Sequence, residues 1–147
     1  MEYSRADDTD KSYFQQLHEE CYRDVVTRQF GSWESKVQRL NFNAKWLAQQ
    51  FSKIIIDGEV VGGIWIDEHD EYRQIREIQI HPTFQGQGIG TRVMQDVIDR
   101  TRQMDKNLML KVLHENHAIA LYRRLGFVVV DDTGLQYVME HRAQAGD

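Results

Sequence analysis

Three glycines at alternate positions connect an apolar strand pattern to a helical one. The segment Gln85–Thr91 reads Gln-Gly-Gln-Gly-Ile-Gly-Thr, and Ile89, Val93 and Val97 begin a helical stripe directly on it. Glycine accepts positive φ and lets a ligand approach the main chain without a Cβ in the way. The first N–H groups of a helix lack intrahelical partners and carry the positive end of its dipole. The spacing therefore predicts an anion site, with phosphate or pyrophosphate as the ligand.

Two common nucleotide-binding patterns differ from this segment. A P-loop ends in Gly-Lys followed by Ser or Thr, whereas the segment here ends Gly-Ile-Gly-Thr and has no lysine for a γ-phosphate. The dinucleotide fingerprint is Gly-x-Gly-x-x-Gly near the start of a βαβ unit, whereas the spacing here is Gly-x-Gly-x-Gly after several strands. A purely structural glycine turn is the remaining alternative.

The elements around the glycines follow from periodicity and turn signals. The predicted strands are Glu2 to Arg5, Lys53 to Ile56, Val60 to Ile66, Tyr72 to His81, Leu108 to Val112, Phe127 to Asp131 and Leu135 to Glu140. The predicted helices are residues 10–26, Trp33 to Phe51, one starting at Ile89, and Asn116 to Leu125. The order is β-α-α-β-β-β-α-β-α-β-β. This order predicts one α/β domain over residues 1–147, with an α+β mixed sheet and a frayed tail after Glu140.

Composition limits the classes of partner and compartment. The 147 residues carry 23 acidic and 18 basic side chains, a net charge of −5, and no basic face for nucleic acid is visible. No apolar run is long enough to span a bilayer, and the N-terminus lacks the apolar stretch of a signal peptide. With the single Cys21, these features predict a cytoplasmic protein without membrane contact. The scattered histidines have no metal-ligand spacing, so no metal is expected.

Two segments resemble the signatures of the GNAT family, the Gcn5-related N-acetyltransferases. Gln85–Gly90 is similar to the family's Arg/Gln-x-x-Gly-x-Gly/Ala motif, and Ile78–Pro82 before it resembles the end of the family's fourth strand. Asn116–Phe127 resembles a second signature, although Asn116 stands six rather than seven residues before Tyr122. The resemblance implies the acyl-CoA N-acyltransferase fold, a mostly antiparallel mixed sheet flanked by about four helices.

The resemblance also implies acetyl-CoA as the cofactor. Its pantetheine would pair with main-chain groups of the fourth strand, and its pyrophosphate would lie on the glycine loop. Arg92, Arg123 and Arg124 are candidates for the 3′-phosphate or are solvated helix residues. The residues expected to bind the cofactor are Ile78, Gln79, Ile80, Gln85, Gly86, Gln87, Gly88, Ile89, Gly90, Thr91, Asn116 and Tyr122.

The implied reaction is direct attack of an amine on the thioester through a tetrahedral intermediate. Tyr122 is the expected acid for the leaving thiolate, and packing as a core aromatic is its alternative. Glu77 lies between apolar neighbours that could raise its pKa, which suits a general base. His81 and His114 are alternative bases, and a path through water without a single base is another possibility. A main-chain N–H of the fourth strand is expected to stabilise the oxyanion.

The acceptor is expected to be a primary amine of a small molecule or peptide. Tyr22, Arg28, Phe30 and Trp33 surround the break at Gly31 and either line the acceptor pocket or pack at a helix corner. The alternative functions are a protein lysine or N-terminal acetyltransferase and a non-catalytic acyl-CoA-binding module. A longer acyl chain fits if small Gly62 and Gly63 leave room for it. The final hairpin could pair across a homodimer.

Overall fold

The strands of the chain form a single seven-stranded sheet. The structure is a computed structural model that describes residues 1–47 and 50–143. The strands are β1 (Glu2–Arg5), β2 (Ser52–Ile56), β3 (Glu59–Glu68), β4 (Tyr72–Ile80), β5 (Asn107–Leu113), β6 (Val128–Asp132) and β7 (Gln136–His141). The helices are α1 (Lys11–Phe30), α2 (Ser35–Lys45), α3 (Ile89–Gln103) and α4 (Ala118–Arg124). The sheet order is β1-β2-β3-β4-β5-β7-β6.

The sheet is mixed. Strands β4 and β5 pair in parallel, while the β1–β2, β2–β3, β5–β7 and β6–β7 pairs are antiparallel. The β2–β3 hairpin turns at Asp57 and Gly58, which both have positive φ, as a two-residue type I′ turn requires. The predicted element order and fold class are therefore confirmed.

Contacts divide the chain into two compact units. The first unit comprises Met1–Trp65 and Glu77–Gln87. Its core contains Ala6, Phe14, Leu17 and Phe51. The core continues into an aromatic cluster, since the rings of Phe14 and Phe51 lie 4.7 Å apart and Trp46 stacks on Phe51 at 5.6 Å. Helix α1 thus contributes Phe14 and Leu17 to this core.

The second unit comprises Ile66–Arg76 and Gly88–Asp147. Its helix α3 buries one stripe, which consists of Ile89, Val93, Met94, Val97, Ile98 and Thr101. The buried Arg73 of β4 donates to Thr101 Oγ1 at 2.8 Å and to Glu68 Oε1 at 2.8 Å. Because a buried guanidinium needs partners, these two bonds explain how the second unit accommodates it.

The main differences from the sequence expectations concern α1, α2 and the C-terminal segment. Helix α1 continues past residue 26 to Phe30, where Gly31 adopts the left-handed conformation and ends it. The helix predicted from Trp33 to Phe51 is shorter in the structure, where α2 ends at Lys45. Residues 48 and 49 of the predicted helix lie outside the described residues. The expected fraying after Glu140 is wrong for His141, which is buried in β7, whereas residues 144–147 lie outside the described part of the chain.

None of the helices within residues 1–47 and 50–143 has the length and apolar character needed to cross a membrane.

Candidate active site

Strand β4 has a free edge over its second half. Its parallel pairing with β5 runs from Tyr72 to Ile75, opposite Asn107 to Leu110, whereas β4 itself continues to Ile80. Main-chain groups beyond Ile75 on that side have no strand partner in this pairing. Such groups are strong hydrogen-bonding sites that need another partner or water.

The hydrogen bonds of β4 show that its regular alternation changes along the strand. Glu71 O accepts from Asn107 N of β5, whereas His81 N donates to Val61 O of β3 at 2.8 Å. Odd-numbered residues would face the same neighbour throughout a regular strand, so one extra residue interrupts the alternation, as in a β-bulge. Beyond this interruption, Ile78 and Ile80 direct their N–H and C=O groups away from β3 and towards the free edge.

The loop after β4 is held by side chains that bond to its own main chain. His81 Nδ1 accepts from Thr83 N at 3.2 Å and caps the 3₁₀ turn Pro82–Phe84. Gln85 Nε2 donates to Ile80 O at 2.8 Å, and Gln87 Nε2 lies 3.4 Å from Thr83 O. Hydrogen bonds within the segment therefore fix the conformation of the loop, and the Gln85 amide takes part in them.

The glycines leave the start of α3 open. Gly86 and Gly88 have φ of +78° and +76°, and a Cβ on either would meet no atom within 4 Å. Gly88 is the N-cap of α3 and has no side chain that could bond to the helix start. The first turn of α3 contains no acidic residue either. The first N–H groups of α3 are thus available to an anion. Ile89 is buried, so a ligand there would meet its main chain.

Glu77 lies against α1. Tyr22 Oη donates to Glu77 Oε2 at 2.6 Å, and Gln79 Nε2 lies 3.5 Å from the same oxygen. Gln79 is only 4% exposed, and its amide also approaches His18 Nδ1 at 3.5 Å. The face of β4 that carries Glu77 and Gln79 therefore contacts α1, as strand alternation predicts for a shared face.

His18 joins this polar group to a small cavity between α1 and α2. Burial lowers the pKa of His18, against an opposing hydrogen bond with Gln38 and the charge of Glu19. The rings of Tyr22 and Trp33 lie 5.0 and 6.0 Å from its ring. The cavity is lined by Gln15, His18, Glu19, Trp33, Ser35, Gln38, Arg39 and Phe42.

Two of the four residues expected to contact the acceptor lie elsewhere on α1. Arg28 pairs with Asp24 along the helix, and Phe30 is 52% exposed at its end. The structure thus brings Tyr22 and Trp33 together around His18. The position of His18 between these two rings was not predicted, because a histidine on an amphipathic helix gives no separate signal in the sequence.

Cys21 of α1 contacts the last residue of β4, and its thiol is protonated. Its thiol donates to Ile80 O at 3.3 Å, and burial, with the charges of Glu20 and Glu77, raises its pKa to about 12. A thiol is a poor nucleophile until it loses its proton. This environment agrees with direct transfer and offers no support for an acyl-cysteine.

The His81 side chain is hydrogen bonded within the loop. While Nδ1 accepts from Thr83, its Nε2 lies 3.3 Å from Glu20 Oε2, and Tyr13 stacks on the ring at 6.5 Å. The same nitrogen cannot accept that bond and take a proton from an amine. His81 therefore fits a role in holding the loop better than the alternative role of base.

The second unit contains the remaining candidates. Tyr122 of α4 is 7% exposed, and its ring lies 5.9 Å from that of Phe127. Asn116 Oδ1 accepts from the N–H of Ala118, the first residue of α4, at 2.9 Å. His114, the other alternative base, lies 2.8 Å from Asp132 Oδ1 through its Nε2.

The space expected beside Gly62 and Gly63 is absent. A Cβ on Gly62 would lie 2.1 Å from Gln79 O, and one on Gly63 would lie 2.1 Å from the Phe14 ring. These glycines allow β4 and Phe14 to pack closely on β3, so the expectation that they admit a longer acyl chain is wrong. Within the part of the chain that is described, no group of three or more His, Cys, Asp or Glu residues could hold a metal.

Sequence comparison finds relatives over part of the chain. An N-acetyltransferase of Methanocaldococcus jannaschii, described as uncharacterized, is 34% identical over 96 residues, which cover 56% of this chain and 42% of that relative. Another, from Porphyra purpurea, is 39% identical over 54 residues, which cover 37% of this chain and 30% of the relative. The chain spans less than half the length of these curated relatives.

Solved structures share the fold over nearly the whole chain. The PaiA N-acetyltransferase of Thermoplasma acidophilum, in complex with coenzyme A, has a TM-score of 0.76 at 14% identity and covers 96% of this chain and 98% of its own. The ribosomal-protein-S18-alanine N-acetyltransferase of Escherichia coli has a TM-score of 0.66 at 20% identity, covering 99% and 96%. A model of the acetyltransferase (GNAT) family matches residues 11–127. The chain therefore belongs to the acetyltransferase (GNAT) family.

Proposed function

We propose that the chain is an N-acetyltransferase that transfers an acetyl group from acetyl-CoA to a primary amine of a small molecule or peptide. The observation that carries this proposal is the uncapped start of α3 at Gly88, the third residue after Gln85 of the glycine loop. The main-chain groups of Ile78 and the N–H of Ile80 suit the amides of a pantetheine arm. The first N–H groups of α3, behind Gly86 and Gly88, suit a pyrophosphate.

Glu77 is the proposed base of the reaction. An amine is mostly protonated near neutral pH and must lose a proton before it can attack. The Glu77 carboxylate, hydrogen bonded to Tyr22 on the face of β4 that contacts α1, can accept that proton directly or through one water. Acetyl-CoA supplies an acetyl thioester that is already activated towards amines.

Tyr122 is the proposed acid. Its hydroxyl would give a proton to the departing sulfur, so that the thiol rather than the thiolate leaves. Burial of its ring beside Phe127 would hold the hydroxyl in a fixed direction. The nitrogen of the tetrahedral intermediate loses a second proton, which restores the Tyr122 hydroxyl. The proton that Glu77 accepts returns to solvent, which leaves an amide, a thiol and one released proton per turnover.

Binding is tested before turnover. Isothermal titration with acetyl-CoA, CoA and NADH should show binding of the first two only. Gly88→Trp should abolish it, because its bulk fills the open space before α3. Gly134→Trp is the matched control, since Gly134 also has positive φ and open space but lies in the β6–β7 turn. Absence of CoA binding by the wild type, or equal loss in both variants, would remove the proposed donor site.

Turnover is then measured as release of free CoA thiol with a panel of amines and short peptides. A lysine or the N-terminus of a protein is the second candidate acceptor, favoured by the open surface of α2. None of the described side chains of α2 is buried, and Val37 and Leu40 are 46% and 61% exposed. A peptide chain would find more contact surface there than a small amine. Preference for peptides over matched small amines would support this second candidate.

A further inference from the structure

We infer that Tyr22 is a positioning residue that orients the Glu77 carboxylate and sets its charge state, and that it does not bind the acceptor amine. This inference rests on the proposed role of Glu77 as the base. It changes the sequence-based expectation for Tyr22, which placed this side chain in the acceptor pocket.

The geometry of the contact supports a direct role towards Glu77. The phenol oxygen and Glu77 Oε2 are 2.6 Å apart, within the short range typical of a hydroxyl bound to an ionised oxygen. The two residues are separated by 55 positions in the chain, so the folding of α1 against β4 creates the contact. Gln79 approaches the same oxygen at 3.5 Å, and its burial keeps its amide from turning to water. Two donors thus converge on one carboxylate oxygen.

The Tyr22 hydroxyl affects the protonation of the Glu77 carboxylate. A hydroxyl that donates to a carboxylate favours the ionised form, which is the form able to accept a proton from an amine. Without this donor, a half-buried carboxylate takes up a proton at higher pH. Tyr22 therefore keeps Glu77 available as a base towards acidic pH, and also restricts the rotation of its side chain.

Other titratable groups near Glu77 do not replace this effect. From α1, the Cys21 thiol and, through Gln79, the His18 ring also face it. The thiol stays protonated because its pKa is raised to about 12. Burial lowers the pKa of His18. Both groups are still present in Tyr22→Phe, because this substitution removes only the Tyr22 hydroxyl.

The test compares Tyr22→Phe with Tyr13→Phe. Both tyrosines lie on α1, but the Tyr13 hydroxyl is buried and has no hydrogen-bond partner in the part of the chain that is described. We expect Tyr22→Phe to move the acidic limb of the kcat/KM–pH profile for the amine to higher pH by about one unit, given the typical strength of a hydrogen bond to a charged group. Tyr13→Phe should leave the limb in place. In a Glu77→Gln background, Tyr22→Phe should have no further effect on the profile.

A second measurement does not depend on turnover. The side-chain carboxyl carbon of Glu77 is followed by NMR during a pH titration and assigned by its loss in Glu77→Gln. Tyr22→Phe should raise the titration midpoint of this signal, and Tyr13→Phe should not. An unchanged midpoint overturns the inference, as does a higher amine KM at all pH values with the limb unmoved, which would place Tyr22 on the acceptor. Absence of turnover in the wild type would contradict the proposed function alone, because the NMR midpoint still decides the contact.

Discussion

At the scale of single residues, the site separates side chains that could act on protons from those that hold other groups in place. Glu77 and Tyr122 are the proposed proton carriers, whereas Gln85, His81 and Asn116 each use a side-chain atom to fix a loop or a helix start. Sequence motifs cannot distinguish these roles, because the hydrogen bonds that define them form only in the folded chain.

Tyr122→Phe tests the proposed acid. The phenyl ring is retained, so the packing against Phe127 should persist while the proton donor is lost. We expect kcat to fall about 100-fold or more, the lower range for general acid catalysis, with unchanged CoA affinity and thermal midpoint. Tyr137→Phe is the control, because its ring packs on His114 in the same unit. Equal rates for the wild type and Tyr122→Phe would leave Tyr122 with a packing role only.

At the scale of elements, two adjacent glycines of β3 set different contacts. A Cβ on Gly62 would meet the main chain of Gln79, while a Cβ on Gly63 would meet only the ring of Phe14. A smaller side chain in place of Phe14 would make room for a Cβ on Gly63. No side-chain substitution makes room for a Cβ on Gly62, because the main chain of β4 would have to move.

We therefore expect Gly62→Ala and Gly63→Ala to destabilise by about 1–3 kcal/mol or more each, as overpacked positions do. Phe14→Leu should partly rescue Gly63→Ala and should not rescue Gly62→Ala. Urea unfolding of the single and double variants measures this difference. Equal rescue of both alanine variants would show that the two positions share one contact, contrary to the geometry described.

At the scale of the whole molecule, stability should depend on pH through buried His141. Burial, together with the charge of Arg102, lowers the pKa of His141. The unfolded chain takes up a proton near the ordinary histidine value of about 6.5, while the folded chain resists it. Stability from this group is therefore present above that pH and is lost as the pH falls towards the lowered value.

Urea unfolding between pH 7.5 and 5.5 measures this loss. We expect the free energy of unfolding to fall less steeply with acidification in His141→Gln than in the wild type. His117→Gln replaces an exposed histidine and should keep the wild-type slope. The slope is compared rather than the absolute stability, since His141→Gln also changes packing beside Gly126. Identical slopes in wild type and His141→Gln would assign the pH dependence to other groups.

Local signals were enough to predict the element order. The Asp57-Gly58 turn, the glycine loop and the stop at Gly126 each act within a few residues, so the sequence exposes them directly. The Tyr22–Glu77 contact could not be predicted, because no local pattern says which turn of α1 faces β4. The burial of His141 was missed for the same reason, since its pairing with Leu108 joins residues 33 positions apart.

The uncapped start of α3 has a consequence for the protein in its cellular setting. Helix starts are commonly closed by a serine, threonine or aspartate side chain, and glycine in that place lowers stability by only about a few tenths of a kcal/mol. Here Gly88 supplies no such side chain, so the first N–H groups of α3 are left open to the proposed pyrophosphate of the donor. A ligand present at 100 times its Kd would stabilise the folded chain by about 2.7 kcal/mol. The lifetime of the folded protein would then follow the cellular supply of acyl donor.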